Sequence, residues 1–411
     1  MVIIVKKLYY IAIIAIVMIL IVNIVNVQYN DSSSNNITIT YNDPNIGEYK
    51  VQYIRSDSKF SKILTKATVG SSFTLTLSQF AHTSLNDAFN AYYDDSGIYA
   101  GFYYDYLKTL YLFKIGWDGK INWSTGMKLD VQPYQIIVLS NDSVNVVSYI
   151  ILLKNGSVMD IILNKNDGAS VNSFMITNYN TGGSIRGSAN YDEGKAFIGK
   201  LVIDVNGDSR VLTINDTDIQ YVVPIDEGYV GFANINGQYG DLDVKVDVVK
   251  SSGESFSYWF GTMLRDSIHL SFTPVYYKGS VFILLDNPDN TKQLILQKIN
   301  GSGLPGEIVP FTYVYRSYND KHNLYVIDNK IVFAENYYWH TGFCCSDYTY
   351  KMYAYIGIYN NTKYTCISKY LSYVYTPSKT YKYMYSQVFY RPNYGVVVTI
   401  EWNSIYVINI G

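Results

Sequence analysis

The strongest constraint on the fold is a recurring pair of alternating strands joined by a tight turn. The clearest example is Leu110–Leu129, LYLFKIGWDGKINWSTGMKL, in which two period-2 segments meet at Asp118-Gly119. Alternation of apolar and polar residues predicts half-buried strands, and Asp-Gly favours a hairpin because both residues tolerate positive φ. Comparable turns follow at Asn155-Gly156, Asn206-Gly207, Ser252-Gly253, Asn300-Gly301, Asn360-Asn361 and Asn403-Ser404.

These turns recur at intervals that average about 48 residues, close to the length of a four-stranded propeller blade. Residues 219–260, 269–315 and 322–370 each divide into four strands. We therefore predict an all-β chain with a β-propeller of six or seven four-stranded blades over residues 92–411. Two β-sandwich domains would produce similar hairpins and stand as the alternative.

A ring of blades has to close. The chain ends in a predicted hairpin, and if residues 381–390 supply the inner strand, the final blade lacks its fourth strand. We expect an N-terminal strand such as ITITY, residues 37–41, to complete it, because closure leaves no long unpaired edge. Residues 37–91 are then the closing strand and first blade, or a small separate cap. Within them, residues 81–90 could form a short helix.

The N-terminal segment determines the predicted compartment. Residues 8–27 carry no charge, and twenty helical residues span about 30 Å, the thickness of a bilayer core. Lys6 and Lys7 precede the segment, so the positive-inside rule makes residues 1–7 cytoplasmic and residues 28–36 an external polar spacer. A cleaved signal peptide is the main alternative, and a buried core helix is the other. We predict a single-pass membrane protein with most of the chain outside the cytoplasm, or a secreted one if the segment is cleaved.

The composition indicates the environment in which the protein works, but it does not indicate an enzymatic reaction. Charged residues make up 16% of the chain and the net charge is −2, which gives no electrostatic case for binding nucleic acid. With 44 tyrosines, the chain takes its polarity from Tyr, Asn, Ser and Thr, which would suit an acidic exterior. This composition resembles that of surface and viral proteins of thermoacidophilic archaea. The hairpin Asp-Gly-Lys-Ile-Asn-Trp is similar to the repeats of secreted PQQ-type propellers; in the absence of a PQQ or Asp-box signature, the resemblance implies architecture only.

Two kinds of covalent modification are predicted for an exterior location. One disulfide is expected from Cys344 or Cys345 to Cys366, with three unpaired thiols as the alternative. Asn-x-Ser/Thr triplets mark candidate N-glycosylation sites. The candidates are Asn36, Asn122, Asn141, Asn155, Asn215, Asn300 and Asn360.

Acidic turns are the first candidate for chemistry. They lie at residues 93–97, 191–194 and 225–228, each directly before a predicted strand. If they line one mouth of a propeller, their carboxylates could hold a cation or act on a sugar. Ordinary turn formation before glycine explains the same residues.

A second candidate is a binding loop that interrupts the unit at 322–370. Aromatic residues beside His and Asp suit a sugar or protein partner, whereas a long loop held by a disulfide is the simpler explanation. The loop residues are Trp339, His340, Phe343, Asp347 and Tyr348. The other histidines are scattered, so we assign no catalytic, metal or cofactor-binding residue.

These observations favour a membrane-anchored binding, adhesion or envelope protein outside the cytoplasm. The membrane, through residues 8–27, and a surface glycan or an envelope protein are its predicted partners. An extracellular hydrolase acting on carbohydrate and a purely structural envelope component are the alternatives.

Overall fold

The computed structural model describes most of the chain. The described residues are 26–28, 36–54, 69–80, 88–177, 187–212, 219, 221–226, 228–236, 242–263, 274–287, 290–299, 305–310, 323–341, 348–376, 388–401 and 403–411.

Short antiparallel strands form nearly all of the regular structure, as the period-2 pattern predicts. In chain order the first four are β1 (Asn26–Gln28), β2 (Asn36–Asp43), β3 (Gly47–Ile54) and β4 (Phe73–Leu77). Blade 1 contains β5 (Phe89–Asp94), β6 (Gly97–Tyr104), β7 (Thr109–Ile115) and β8 (Ile121–Lys128), and blade 2 contains β9 (Pro133–Leu139), β10 (Val146–Leu153), β11 (Val158–Asn164) and β12 (Ser170–Ile176).

The later blades follow the same order, with the inner strand first. Blade 3 contains β13 (Gly187–Asn190), β14 (Lys195–Ile198), β15 (Leu201–Asp204) and β16 (Ser209–Val211). Blade 4 contains β17 (Tyr221–Ile225), β18 (Gly228–Asn236), β19 (Leu242–Lys250) and β20 (Ser255–Met263). Blade 5 contains β21 (Val275–Tyr277), β22 (Ser280–Asn287), β23 (Asn290–Ile299) and β24 (Pro305–Pro310). Blade 6 contains β25 (Asn323–Ile327), β26 (Lys330–Thr341), β27 (Tyr348–Tyr359) and β28 (Tyr364–Thr376), and the chain ends in β29 (Val388–Arg391), β30 (Val396–Glu401) and β31 (Ser404–Asn409).

The strand pairing gives a propeller-like arrangement. Each blade is an antiparallel meander of strands consecutive in sequence, and seven such blades lie in the described part of the chain once β4 joins β29–β31. The predicted units at 219–260, 269–315 and 322–370 correspond to blades 4, 5 and 6. The Asp118-Gly119 hairpin is confirmed, with Gly119 at φ +77° between β7 and β8.

The closing strand differs from the predicted one. β31 pairs with β4, the segment FTLTL, through Ile405–Leu75 and Val407–Phe73. The segment ITITY lies in β2, two strands further out, and it pairs with β3. β4 alternates buried and half-buried residues as a closing strand should, and its Leu75 is fully buried. β2 and β3 extend the last blade outward instead of sealing it.

The ring itself is uneven. The inner strands β13 and β25 pair in parallel through Ala189–Tyr325 and Asn190–Val326, so blades 3 and 6 are joined directly. The inner strands of blades 7, 1, 2, 3 and 6 therefore surround the axis, and blades 4 and 5 pack beside it. One large apolar core unites the five axial blades, while smaller cores lie between blades 4 and 5 and between blades 5 and 6.

The N-terminal prediction falls largely outside the described residues. Asn26 and Val27, the last two residues of the predicted span, lie in β1 and pair with Thr40 and Ile39 of β2. Residues 1–25 and most of the predicted spacer are not among those described. Within the part of the chain that is described, no helix is long and apolar enough to cross a bilayer. Of the predicted helix at 81–90, Phe89 and Asn90 belong to β5 and 81–87 lie outside the described residues.

A carboxylate is buried inside blade 2. Asp160 on β11 is 0% exposed, and its Oδ1 accepts a 2.6 Å hydrogen bond from Ser148 Oγ of β10. Its Oδ2 has no hydrogen-bond partner. Burial raises the pKa of Asp160 to about 7, although the bonds from Ser148 and the Ile161 amide oppose the shift. The folded state therefore favours the protonated acid near neutral pH.

We expect Leu75→Ala to destabilise the fold by about 2–5 kcal/mol, because it empties a buried site at the closure of the ring. Thr76→Ala is the matched control on the same strand; it removes a half-buried hydroxyl 3.0 Å from Ser404 Oγ and should cost about 1 kcal/mol. Chemical denaturation followed by circular dichroism measures both. Equal losses would contradict the burial of Leu75 between β4 and the core.

We expect Asp160→Asn to change how stability depends on pH. The folded pKa of Asp160, about 7, lies above the ordinary value of 3.8, so stability present below pH 4 is lost as pH rises through 7. The parent should lose about 1.4 kcal/mol per pH unit relative to the variant over that interval. Denaturation at several pH values measures the difference, with exposed Asp130→Asn as control. A difference that stays constant with pH would refute a raised pKa.

Candidate functional site

Five turns meet around the axis at one end of the molecule. They connect the first and second strands of the axial blades, and we call this end the inner-turn face. Its segments are residues 94–97, 140–145, 191–194, 328–329 and 391–395. The opposite end carries the turns between second and third strands, and we call it the mid-turn face. The meander places the two kinds of turn at opposite ends because neighbouring strands are antiparallel.

Arg391 is the central side chain of the inner-turn face. It is the last residue of β29, and its side chain is only 7% exposed. Its Nη2 and Nη1 lie 2.6 and 3.1 Å from the two carboxylate oxygens of Asp142. Its Nε donates to Asp328 Oδ1 at 3.0 Å. A single guanidinium thus joins blades 7, 2 and 6 by the planar, forked geometry that arginine provides.

The same arginine also binds blade 1. Arg391 Nη1 donates to the Tyr93 carbonyl oxygen, and the Arg391 amide donates to the Tyr93 hydroxyl, both at 2.8 Å. The guanidinium carbon lies 4.7 Å from the ring centre of Tyr394, which stacks on Trp117. Tyr394 in turn donates from its hydroxyl to Asp95 at 2.7 Å.

Lys165 neutralises a second carboxylate beside this cluster. Its Nζ lies 2.8 Å from Asp94 Oδ2 and donates to the Asn141 carbonyl at 2.8 Å. Its Nζ is also 5.7 Å from the ring centres of Tyr92 and Tyr99. Because Lys165 and Asp94 are both buried, the pair fixes the blade 1 turn against blade 2.

Asp192 connects blade 3 to blade 6. Its two carboxylate oxygens accept hydrogen bonds from the Asp328 and Asn329 amides, each at 2.8 Å. Asp328 and Asn329 have φ of +51° and +56°, a conformation that Asp and Asn tolerate better than most residues. Asp328 also accepts from the Asn393 amide at 2.9 Å. Each of these carboxylates is thus engaged by donors from another blade.

The electrostatic environment keeps both Asp142 and Arg391 charged. Hydrogen bonds from Arg391 lower the pKa of Asp142 despite partial burial. Burial alone would lower the pKa of Arg391, but the bonds to Asp142 and the nearby charges raise it. Burial raises the pKa of Asp192. The cluster therefore keeps Asp142 ionised and unsuited to donate a proton.

Beneath the charged side chains around Arg391, aromatic rings fill the axis. Tyr325 and Phe389 stack at 5.2 Å, Tyr92 and Tyr191 stack at 5.4 Å, and Tyr191 meets Phe389 edge-on at 5.3 Å. Burial raises the pKa of Tyr325 well above its ordinary value. Four axial blades supply these rings, so the centre is a packed core at this depth.

A small cavity lies further toward the start of the inner strands. Its volume is about 20 Å³, room for about one water molecule. Polar side chains from three blades line part of it: Asn90, Gln135 and Ser188. A cavity of this size does not admit a sugar ring.

The structure brings two of the three predicted acidic turns together. Residues 93–97 and 191–194 lie on the inner-turn face, whereas 225–228 belongs to blade 4, outside the axial ring. Asp226 is exposed there, and Glu227 is outside the described residues. Among the described residues, no group of three or more His, Cys, Asp or Glu side chains is arranged to hold a metal ion.

Sequence reasoning missed Asp142, Asp328 and Arg391. Each lies just after an inner strand or at its end, which is the position of the acidic turns. That shared position was the available signal. The pairing could not be read from the sequence because Asp142 and Arg391 are 249 residues apart.

The predicted binding loop is only partly described. Trp339 and His340 lie near the end of β26, and Tyr348 begins β27, in a hairpin longer than predicted. Phe343, Asp347 and the cysteines Cys344 and Cys345 lie outside the described residues. Cys366 on β28 is exposed. The binding loop and the disulfide stay predictions.

The candidate glycosylation sites that are described lie at surface positions or turns. Asn122, Asn155 and Asn360 are exposed, and the last two occupy the predicted hairpin turns. Asn141 is half-buried, and Asn36 begins β2. Asn215 and Asn300 lie outside the described residues. Glycosylation stays a prediction.

Comparison with known proteins gives no family. No family model matches the chain, and no curated protein matches it. Among solved structures, the chain is similar to the Dos1 propeller at 10% identity and a TM-score of 0.37, over 94% of this chain and 96% of that one. It is similar to the N-terminal domain of Nup159 at 8% identity and a TM-score of 0.34, over 81% and 91%. It is also similar to the uncharacterized protein lmo1340 of Listeria monocytogenes, at 9% identity and a TM-score of 0.35. The match covers 78% of this chain and 94% of that one. Similarities at this level carry no argument, so the architecture rests on the strand pairing.

We expect Asp328→Asn to destabilise the fold by about 3 kcal/mol or more, because it leaves the buried Arg391 without its buried partner. Asp142→Asn is the matched control on the same guanidinium; Asp142 is 59% exposed, so solvent screening should hold its cost to about 1 kcal/mol. Thermal and chemical denaturation measure both. If Asp142→Asn costs as much as Asp328→Asn, the exposed pair and not the buried one stabilises the axis.

Proposed function

We propose that this protein is a membrane-anchored binding protein outside the cytoplasm, with the inner-turn face as its ligand surface. The observation that supports the proposal is the Arg391 cluster, the hydrogen-bonded group of Arg391, Asp142, Asp328, Asp192 and Tyr93. It holds turns from five blades in fixed positions while leaving Asp95, Asp142, Asp192 and Glu193 exposed. Rigid polar groups at a surface suit recognition, because little ordering entropy is lost on binding.

A surface glycan is the ligand class that we favour. The exposed groups on this face include carboxylates and the asparagines Asn145, Asn329 and Asn393, beside the half-buried ring of Tyr394. Carboxylates and amides form hydrogen bonds with hydroxyl groups, and an aromatic ring offers an apolar surface to a sugar. The predicted exterior location brings such a face into contact with envelope polysaccharides.

Binding is better supported than hydrolysis. Glycoside hydrolysis usually needs one carboxylic acid with a raised pKa near a second, free carboxylate. Here Asp142 has a lowered pKa, and Asp94 and Asp328 are buried ion-pair partners of Lys165 and Arg391. The pKa of Asp192 is raised, but both of its carboxylate oxygens accept backbone hydrogen bonds from the turn of blade 6. These carboxylates hold the turns together.

We expect the full-length protein to bind envelope polysaccharide and Asp95→Asn to weaken binding at least about tenfold, or about 1.4 kcal/mol. Titration calorimetry with detergent-solubilised protein measures the affinity. Asp130→Asn, an exposed carboxylate away from the inner-turn face, is the control and should leave the affinity unchanged.

Two other results would contradict parts of the proposal. Time-dependent release of reducing sugar, abolished by Asp142→Asn, would establish a hydrolase instead. Determination of the N-terminus of the membrane-extracted protein tests the anchor separately, since a mature chain that starts near Gln28 would have no tether.

A further inference from the structure

An exposed apolar tip stands out on blade 1. The turn between β6 and β7 is a short 3-10 turn, Asp105–Leu107, at the mid-turn face. Tyr106 is 77% exposed there, and Leu107 and nearby Met127 are each 38% exposed. Most large apolar side chains of this blade are buried, so the tip is a local exception.

The tip is also fixed in place. Lys128 Nζ donates to the Leu107 carbonyl at 2.6 Å, and the Leu129 amide donates to the Lys108 carbonyl at 2.9 Å. Lys108 adopts φ +50°, which ends the turn sharply. The apolar groups are thus held outward by a hydrogen-bonded turn.

Two lysines flank the tip. Lys108 and Lys128 are exposed beside the apolar side chains, and the exposed carboxylates Asp105 and Asp130 are close to them in the chain. Apolar side chains flanked by lysines suit a lipid interface, where the rings and methyl groups enter the headgroup region and the ammonium groups meet phosphate.

The register of β1 with β2 shows at which end of the sheet β1 begins. β1 runs antiparallel to β2, with Asn26 opposite Thr40 and Gln28 opposite Thr38. Asn26, where β1 begins, therefore lies toward the Asp43 end of β2. That end lies at the mid-turn face, because β2, β3 and β4 pair in sequence to Leu77, beside the turn between β30 and β31.

The same end of the N-terminal sheet is joined to blade 1. Asn45, in the turn after β2, donates from Nδ2 to the Ser124 carbonyl at 2.9 Å, and Ser124 Oγ donates to Asp43 at 2.5 Å. Ser124 lies on β8, three residues before Met127. The start of β1 and the apolar tip are thus on one side of the molecule.

We propose that the tip formed by Tyr106, Leu107 and Met127 docks on the bilayer surface, with Lys108 and Lys128 at the lipid phosphates. The proposal rests on the membrane anchor of the proposed function. Docking directs the inner-turn face, at the opposite end of the axis, away from the membrane. The protein then presents its ligand surface outward instead of toward its own bilayer.

The test places an added indole at the tip by Tyr106→Trp. The full-length protein is reconstituted into phosphatidylcholine–phosphatidylserine vesicles with phosphatidylcholine brominated near the headgroup. The fluorescence of the parent, with its five tryptophans, is subtracted. Ser143→Trp, on the exposed inner-turn face, is the matched control. We expect the added emission of Tyr106→Trp to shift to the blue and be quenched by bromine, and that of Ser143→Trp to stay unchanged.

The outcomes separate this inference from the anchor. Protein that floats with the vesicles while the added indole stays unquenched overturns docking and leaves the anchor intact. Protein that does not float refutes both. A blue shift in detergent that depends on protein concentration, without lipid quenching, would identify a second copy as the partner and overturn the proposal. Met127→Trp provides the same readout if Tyr106→Trp does not fold.

Discussion

The pairing of β4 with β31 is the constraint on which the remaining structure depends. Without it, β31 would present an open edge of backbone donors and acceptors next to the largest apolar core. The link joins residues more than 300 positions apart, so it forms only when both ends of the chain have folded. Such a long-range contact makes folding slow but fixes the order of the axial blades once it forms.

The axis shows how an uneven ring is kept rigid. The direct pairing of β13 with β25 brings five blades to the centre, and the narrowed space is filled by tyrosine and phenylalanine rings. One guanidinium then satisfies carboxylates and a carbonyl from the neighbouring blades. A buried arginine is costly to desolvate, and its value here lies in the geometry that it imposes on the turns.

The functional proposal depends on the difference between the packed axis and the two ends of the molecule. The axis is packed at the depth of Tyr325 and Phe389, and the two ends of the described ring differ. The inner-turn face is polar and held by ion pairs, whereas the mid-turn face of blade 1 carries exposed apolar groups beside lysines. The proposed ligand surface lies at one end, and the proposed membrane contact lies at the other end, where β1 begins.

Local signals predicted much of the architecture. The Asp118-Gly119 hairpin, the units at 219–260, 269–315 and 322–370, and an N-terminal closing strand all depend on neighbouring residues or on period-2 patterns. The choice of ITITY was wrong because FTLTL alternates equally well, and local pattern does not say which of two similar strands reaches β31. Of the three acidic turns considered for one mouth of the ring, those at 93–97 and 191–194 lie on one face of the axial ring, and the turn at 225–228 lies in blade 4. Their partners, Asp142, Asp328 and Arg391, were not.

The sequence by itself determined the strands, their turns and the repeating four-strand unit, because these depend on side-chain alternation and on residues that tolerate positive φ. Only the tertiary structure decided which strand closes the ring, which blades reach the axis and which charges meet there. Those choices depend on pairing between segments far apart in the chain, and the energies that select them arise from burial and ion-pair geometry that exist only after the blades have packed.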